Sequence, residues 1–280
     1  MKYIAALVQM TPVLGDVEKN ISRHLEYIDQ AIEGGASLVI FPELSLCGYT
    51  LRDLTSEVAM RMTDPRLERL RERSSEITII AGGVEEEQSF GLYNSAFIFD
   101  RGTIHTHRKI YPPDYGLFEE GRYFLHGNSV EAVDTRCGRI GVLVCEDIWH
   151  LSLPLLLALD GAQAIIAIAA SPTRLAHGEG FTNQRINSEN HRVLARLLET
   201  YIIFVNRTGF EDGVNFWGGS EAVNAFGEIV VSAPLLQEEL IFTEIDLQSS
   251  KRARQQARHF LDERPELLRH ELERIAGKER

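Results

Sequence analysis

The chain has 280 residues, 44% of them hydrophobic and 25% charged, and a formal net charge of −12. The length suits one sizeable core, and the composition is that of a globular protein rather than a disordered or fibrous one. The acidic balance excludes non-specific nucleic-acid binding, which needs a basic footprint, and no apolar run approaches the ~20 residues that span a bilayer, so no membrane partner is expected.

In chain order, residues 3–10 form a short apolar strand rather than a signal peptide, because Gln9 and Thr11 interrupt the run and no small-residue cleavage site follows. From 16 to 35, apolar residues recur at Val17, Ile21, Leu25, Ile28 and Ile32, an amphipathic helix stopped by two glycines. A buried strand at 37–41 follows, then a charged helix over 64–75 opened by Asp64-Pro65, and a strand at 77–84. Residues 94–100 and 103–109 pair as a hairpin across Arg101-Gly102, and a second hairpin turns near Cys137 and Gly138. Helix over 148–161, strand at 162–170, helix over 180–200 and strand at 201–206 come next. A glycine-rich loop at 209–219 leads to strands near 220–226, 228–232 and 239–245. The pattern predicts an α/β or α+β fold with mixed sheets in one domain over 1–280. The tail from 247 to 280 is too polar for a core, and its Leu261, Leu267, Leu268, Leu272 and Ile275 are expected to pack on a partner subunit.

Cys47, Cys137 and Cys145 make an odd count without C-x-x-C spacing, which argues against disulfides or zinc and for a reducing cytoplasm. Cys145 ends the apolar run IGVLV at a strand-to-helix turn, where a helix N-terminus favours a thiolate. Glu146 and Asp147 oppose ionisation, so a working nucleophile needs a cation and a base nearby. Glu43, on the exit loop of strand 37–41, can serve as base, and Lys109, where a strand meets a Pro- and Tyr-rich loop, can serve as cation. The bland alternatives are a core cysteine, a solvated loop glutamate and a surface lysine. His105 and His107 share a strand face with no third ligand spaced to join them and are expected to be surface histidines, so no metal is expected. His150, His177 and His191 are scattered.

Taken together, FPEL around Glu43, HRK ending in Lys109 and the apolar strand before Cys145 resemble the signatures of the nitrilase, or carbon–nitrogen hydrolase, superfamily. The resemblance runs from Tyr3 to the ERPEL segment at 263–267. It implies a four-layer α-β-β-α sandwich of two mixed sheets, a homodimer or larger homo-oligomer, and no cofactor. It also implies a cysteine-dependent amidohydrolase working through a thioester: Glu43 as base, Cys145 as nucleophile and Lys109 as stabiliser of the tetrahedral anion. Members often carry a second glutamate about eight residues after the lysine. Here that position is Leu117, and the nearest acids are Asp114, Glu119 and Glu120.

PELSLCGY, YPPDYGLFEEGRYF, CEDIW, ASPTR and GFEDGVNFWGGS resemble in particular the glutaminase domain of glutamine-dependent NAD synthetases. That implies a glutamine-shaped pocket lined by Tyr49, Tyr115, Phe118, Trp149 and Ser171, with Glu146 meeting the substrate ammonium and the GFEDGVNFWGGS loop near the entrance. The plain alternative for Glu146 is an acid favoured at a helix start. No SGGxDS-type nucleotide loop and no GxxxxGK[ST] is found, and the chain ends where the glutaminase domain would end. The expected substrate is glutamine or a similar amino-acid amide. A nitrile or N-carbamoyl substrate, service as an ammonia-supplying subunit, and a non-catalytic interaction protein are the alternatives.

Overall fold

The computed structural model describes residues 1–173 and 181–278. The first half of the chain comprises β1 (Lys2–Gln9), α1 (Val17–Glu33), β2 (Leu38–Ile40), the short α2 (Thr55–Val58) and α3 (Glu68–Arg73), β3 (Thr78–Glu86), β4 (Leu92–Asp100) and β5 (Thr103–Arg108). The second half comprises β6 (Val133–Thr135), β7 (Gly138–Val144), α4 (Ser152–Leu159), β8 (Ala164–Ala169), α5 (Thr182–Leu198) and β9 (Tyr201–Asn206). It continues through β10 (Thr208–Glu211), β11 (Val214–Trp217), β12 (Glu221–Val223), β13 (Ile229–Ser232), β14 (Glu239–Asp246), α6 (Leu247–Ala257) and α7 (Pro265–Ala276). The Asp16 carboxylate accepts from the Lys19 N–H at 3.0 Å to open α1, and Pro65 follows a capping Asp64 as expected, opening a 3₁₀ turn over Pro65–Leu67 that leads into α3.

Two six-stranded sheets result, in the orders β14-β1-β2-β3-β4-β5 and β13-β12-β9-β8-β7-β6. Each has a parallel centre, β1-β2-β3 or β7-β8-β9, flanked by antiparallel strands. Alternation along the central strands divides their side chains between two faces. Leu7, Ile40, Ile80, Val142, Ile166 and Ile203 meet between the sheets. Val8, Val39 and Phe41 pack under α1 with Ile21 and Ile28, while Leu143, Ile165 and Ile202 pack under α4 and α5 with Leu157 and Leu194. The layers are therefore helix, sheet, sheet and helix, the expected sandwich. Each fully buried Leu or Ile side chain stabilises it by about 1.5–3 kcal/mol.

Several boundaries differ from the sequence expectation. The helix expected over 148–161 is interrupted: a 3₁₀ turn over Cys145–Trp149 comes first, and α4 starts only at Ser152. The loop expected over 209–219 is largely the β10–β11 hairpin, turned at Asp212 (φ 48°) and Gly213 (φ 80°). The first residue of the helix expected over 180–200, together with Arg174 and His177, lies outside the described residues. The tail is not uniformly outside the core, because Leu247 joins the inter-sheet cluster and Ala253 of α6 is buried. By contrast Leu261, Leu267, Leu268, Leu272 and Ile275 are all exposed. Among the described residues no helix is long and apolar enough to cross a membrane.

Candidate active site

Glu43, Lys109 and Cys145 follow the ends of β2, β5 and β7, and the packing of the two sheets brings those ends together. Glu43 sits on a tight turn, with Leu44 at φ 48°. That turn lies directly on Gly82 of β3: the Gly82 N–H donates to Pro42 O at 3.2 Å, and Gly82 O accepts from the Leu46 N–H at 2.9 Å. A Cβ at residue 82 would stand 2.6 Å from Pro42 O and 2.7 Å from Glu43 Cα. Gly82→Ala is therefore expected to shift Glu43, costing about 1–3 kcal/mol of stability together with most of the activity. Thermal melts beside turnover assays check this, and an active, equally stable variant would contradict it.

Glu43, Lys109 and Glu120 are 0%, 1% and 5% exposed, so their charges must be met by one another. Lys109 Nζ donates to Glu43 Oε1 at 2.7 Å and to Glu120 Oε1 at 2.8 Å. Two of its three N–H groups are thus used, which leaves one for a substrate oxygen. Asn94 Nδ2 donates to Glu43 Oε1 at 2.7 Å and to Glu120 Oε2 at 3.3 Å, the Tyr49 hydroxyl donates to Glu120 Oε1 at 2.6 Å, and the Ala170 N–H donates to Glu43 Oε2 at 2.7 Å. Burial works against the Lys109 charge, but Glu120 and Glu43 outweigh it and hold the ammonium well above its ordinary value. Burial, and then the Glu43 charge, raise the Glu120 carboxyl against the opposing pull of Lys109.

Cys145 opens the 3₁₀ turn with φ 49°, a strained elbow that turns the thiol out of the sheet. Burial raises the thiol well above its ordinary value; Glu43 and Glu120 add to this, while Lys109 and a backbone hydrogen bond with Ala170 oppose it. The resting group is therefore a thiol, and it needs a base when it reacts.

The thiol opens into a pocket lined by Tyr115, Phe118, Glu146, Trp149 and Ser171, together with Asn183 and Asn187 of α5. Five of the six residues expected at the substrate are thus gathered around Cys145. The sixth, Tyr49, stands behind the pocket on Glu120. Glu146 is held at its rim by the Tyr115 hydroxyl, 2.8 Å from Oε2. The hairpin of the 209–219 segment is bridged to Pro172 in the pocket wall and braces the site: Trp217 Nε1 donates to Ser171 Oγ at 3.1 Å, and Glu211 Oε1 accepts from the Tyr49 and Thr50 N–H groups at 2.8 and 2.6 Å.

Of the loop acids, Glu120 alone reaches the Lys109 ammonium. Leu117 is 46% exposed, Glu119 is exposed, and Asp114 accepts from the Gly121 N–H at 3.3 Å. A turn at Tyr115–Phe118 and a 3₁₀ turn at Glu120–Arg122 carry the buried carboxylate three residues past the expected position. Asp147, read from sequence as a hindrance to the thiol, is fully buried and faces the backbone after Lys109. His107 is not a surface histidine, being 6% exposed with Nε2 on Asp147. Sequence reasoning did not find Asn94, Asn183 or Asn187. A lone amide at the head of the apolar strand NSAFIFD was the available signal for Asn94.

A buried carboxylate and ammonium thus lie beside an elbow cysteine at the strand ends of this sandwich, the setting of a carbon–nitrogen hydrolase. The chain belongs to the carbon-nitrogen hydrolase family, whose model matches residues 4–255. It is 28% identical over 252 residues to the glutamine-dependent NAD(+) synthetase of Acinetobacter baylyi, covering 88% of this chain but 44% of that protein. It is 29% identical over 250 residues to a nitrilase of Pyrococcus abyssi, covering 86% and 89% respectively. The solved glutamine-dependent NAD+ synthetase of Acinetobacter baumannii superposes with a TM-score of 0.79 at 29% identity, over 89% of this chain and 47% of that one. The chain thus spans about half the length of the NAD synthetases it matches.

Proposed function

We propose that this carbon–nitrogen hydrolase cleaves the side-chain amide of glutamine, or a similar amino-acid amide, to the acid and ammonia. The observation that carries the substrate class is Glu146, a carboxylate in the wall of the thiol pocket and tied there by Tyr115. A carboxylate so placed suits a substrate bearing an ammonium group.

In the proposed reaction Glu43 takes the thiol proton as Cys145 sulfur attacks the amide carbon. The oxygen becomes anionic and is met by the remaining N–H of Lys109 and a backbone N–H beside Cys145. Glu43 then gives its proton to the amide nitrogen, the carbon–nitrogen bond breaks, and ammonia leaves a thioester. Water attacks that thioester, losing a proton to Glu43, and collapse releases the carboxylic acid as the proton returns to the thiolate. One water is consumed for each amide cleaved. Glu120, bound to Lys109 and Tyr49, holds the ammonium in place for both tetrahedral anions.

Ammonia release from glutamine, asparagine, aliphatic amides, N-carbamoyl acids and nitriles tests the proposal. An amino-acid amide should be preferred, and turnover should vanish in Cys145→Ala. Glu146→Gln should reduce kcat/KM for an amino-acid amide by about tenfold or more, the value of one charge-assisted contact, while an uncharged aliphatic amide loses little. Equal losses on both would remove the proposed role of Glu146. The match to one half of the NAD synthetases supports a second reading, an ammonia-supplying partner of a separate synthetase. That reading requires glutaminase turnover to rise sharply when the synthetase is added.

A further inference from the structure

We propose that Asp147 is the positioning residue that fixes the Cys145 elbow against Lys109, and that His107 orients it; this rests on the reading of Cys145 as nucleophile and Lys109 as its cation. Asp147 is fully buried, and its carboxylate collects four donors. Oδ1 accepts from the Ile110 and Tyr111 N–H groups, both at 3.0 Å. Oδ2 accepts from His107 Nε2 at 3.0 Å and from the Val144 N–H at 3.2 Å. A carboxylate has about four lone-pair sites, so this one is saturated.

The origin of the donors gives the arrangement its meaning. Ile110 and Tyr111 directly follow Lys109, His107 precedes it by two on β5, and Val144 directly precedes Cys145. β5 ends the first sheet, while β7 belongs to the second. One side chain therefore fastens both flanks of the lysine, on one sheet, to the residue before the cysteine on the other. Cys145 holds a left-handed φ of 49°, a conformation that persists only where its surroundings over-determine it. The charges that shift the thiol most are Glu43, Lys109 and Glu120, whereas Asp147 faces the backbone on the flanks of the pair. It acts through geometry.

The alternative, an acid that merely discourages the thiolate, predicts the opposite sign, which makes the test decisive. The readout is the second-order rate of Cys145 alkylation by iodoacetamide across pH, located by mass spectrometry; Cys47 and Cys137 are buried. Asp147→Asn, checked for folding by circular dichroism and melting, should slow alkylation by about tenfold to a hundredfold, the cost of misplacing a reacting atom. His107→Leu should slow it less, and His107→Gln, which keeps a donor, should recover most of the rate. A folded Asp147→Asn protein that reacts as fast as wild type, or faster, overturns the proposal. If Asp147→Asn does not fold, the histidine pair decides: equal rates for Leu and Gln overturn it. Alkylation needs no natural substrate, so a positive result beside an empty amide screen would refute the proposed substrate and leave the clamp standing.

Discussion

Glu43→Gln should lower amide turnover by a factor of about 10²–10⁴, the usual contribution of a positioned general base, while the protein remains folded. The substitution keeps the shape of the side chain and an acceptor for the donors that surround it, Lys109 and Asn94 at Oε1 and the Ala170 N–H at Oε2. The new amide must direct its own N–H groups at one of these donors, so a modest loss of stability is expected as well. What it cannot do is take a proton from a thiol that burial and nearby carboxylates hold in the protonated form. Steady-state ammonia release and mass spectrometry of a trapped acyl-enzyme measure the effect. A variant that acylates at the wild-type rate would show that another group is the base.

Lys109→Met should be the more damaging change, because it removes the ammonium shared by two buried carboxylates. Removing one partner of a buried ion pair costs about 3–5 kcal/mol, and the anionic intermediate loses its stabilising N–H in addition. The pH dependence has a definite sign. Without the ammonium, Glu120 loses the charge that favours its ionised form, and burial already raises it in the wild type. A carboxyl raised in the folded state binds more protons there than in the unfolded chain. The stability of Lys109→Met should then fall as pH rises above the unfolded carboxyl value of about 4.3, and the deficit relative to wild type should widen toward neutrality. Denaturant unfolding at several pH values tests this. A deficit independent of pH would mean that the carboxylates are not what the lysine neutralises.

These two expectations rest on different parts of the chain's information. Local pattern was enough to show that Glu43, Lys109 and Cys145 each follow a strand, and that the strand at 37–41 is buried. It also placed the start of α1 and the Asp64-Pro65 opening of the helical segment that ends in α3. Strand alternation, caps and Pro positions act over a few residues, so they are written in neighbouring letters. The order Glu, Lys, Cys with its flanking blocks was enough to point to the family and hence to the two-sheet sandwich.

Tertiary structure decided which polar atoms meet. Asn94 reaches Glu43 across 51 residues, and the Ala170 N–H reaches it across 127. The family resemblance pointed to position 117, yet Glu120 holds the position at Lys109, because the path of a loop depends on what it packs against rather than on its residue count. Asp147 shows the same limit most plainly. Beside Cys145 in the sequence it is one more negative charge, but a strained elbow and a second sheet turn it toward the backbone around Lys109, where it accepts four hydrogen bonds. Adjacency in the chain specifies distance along the backbone, and only the fold specifies the direction in which a side chain points.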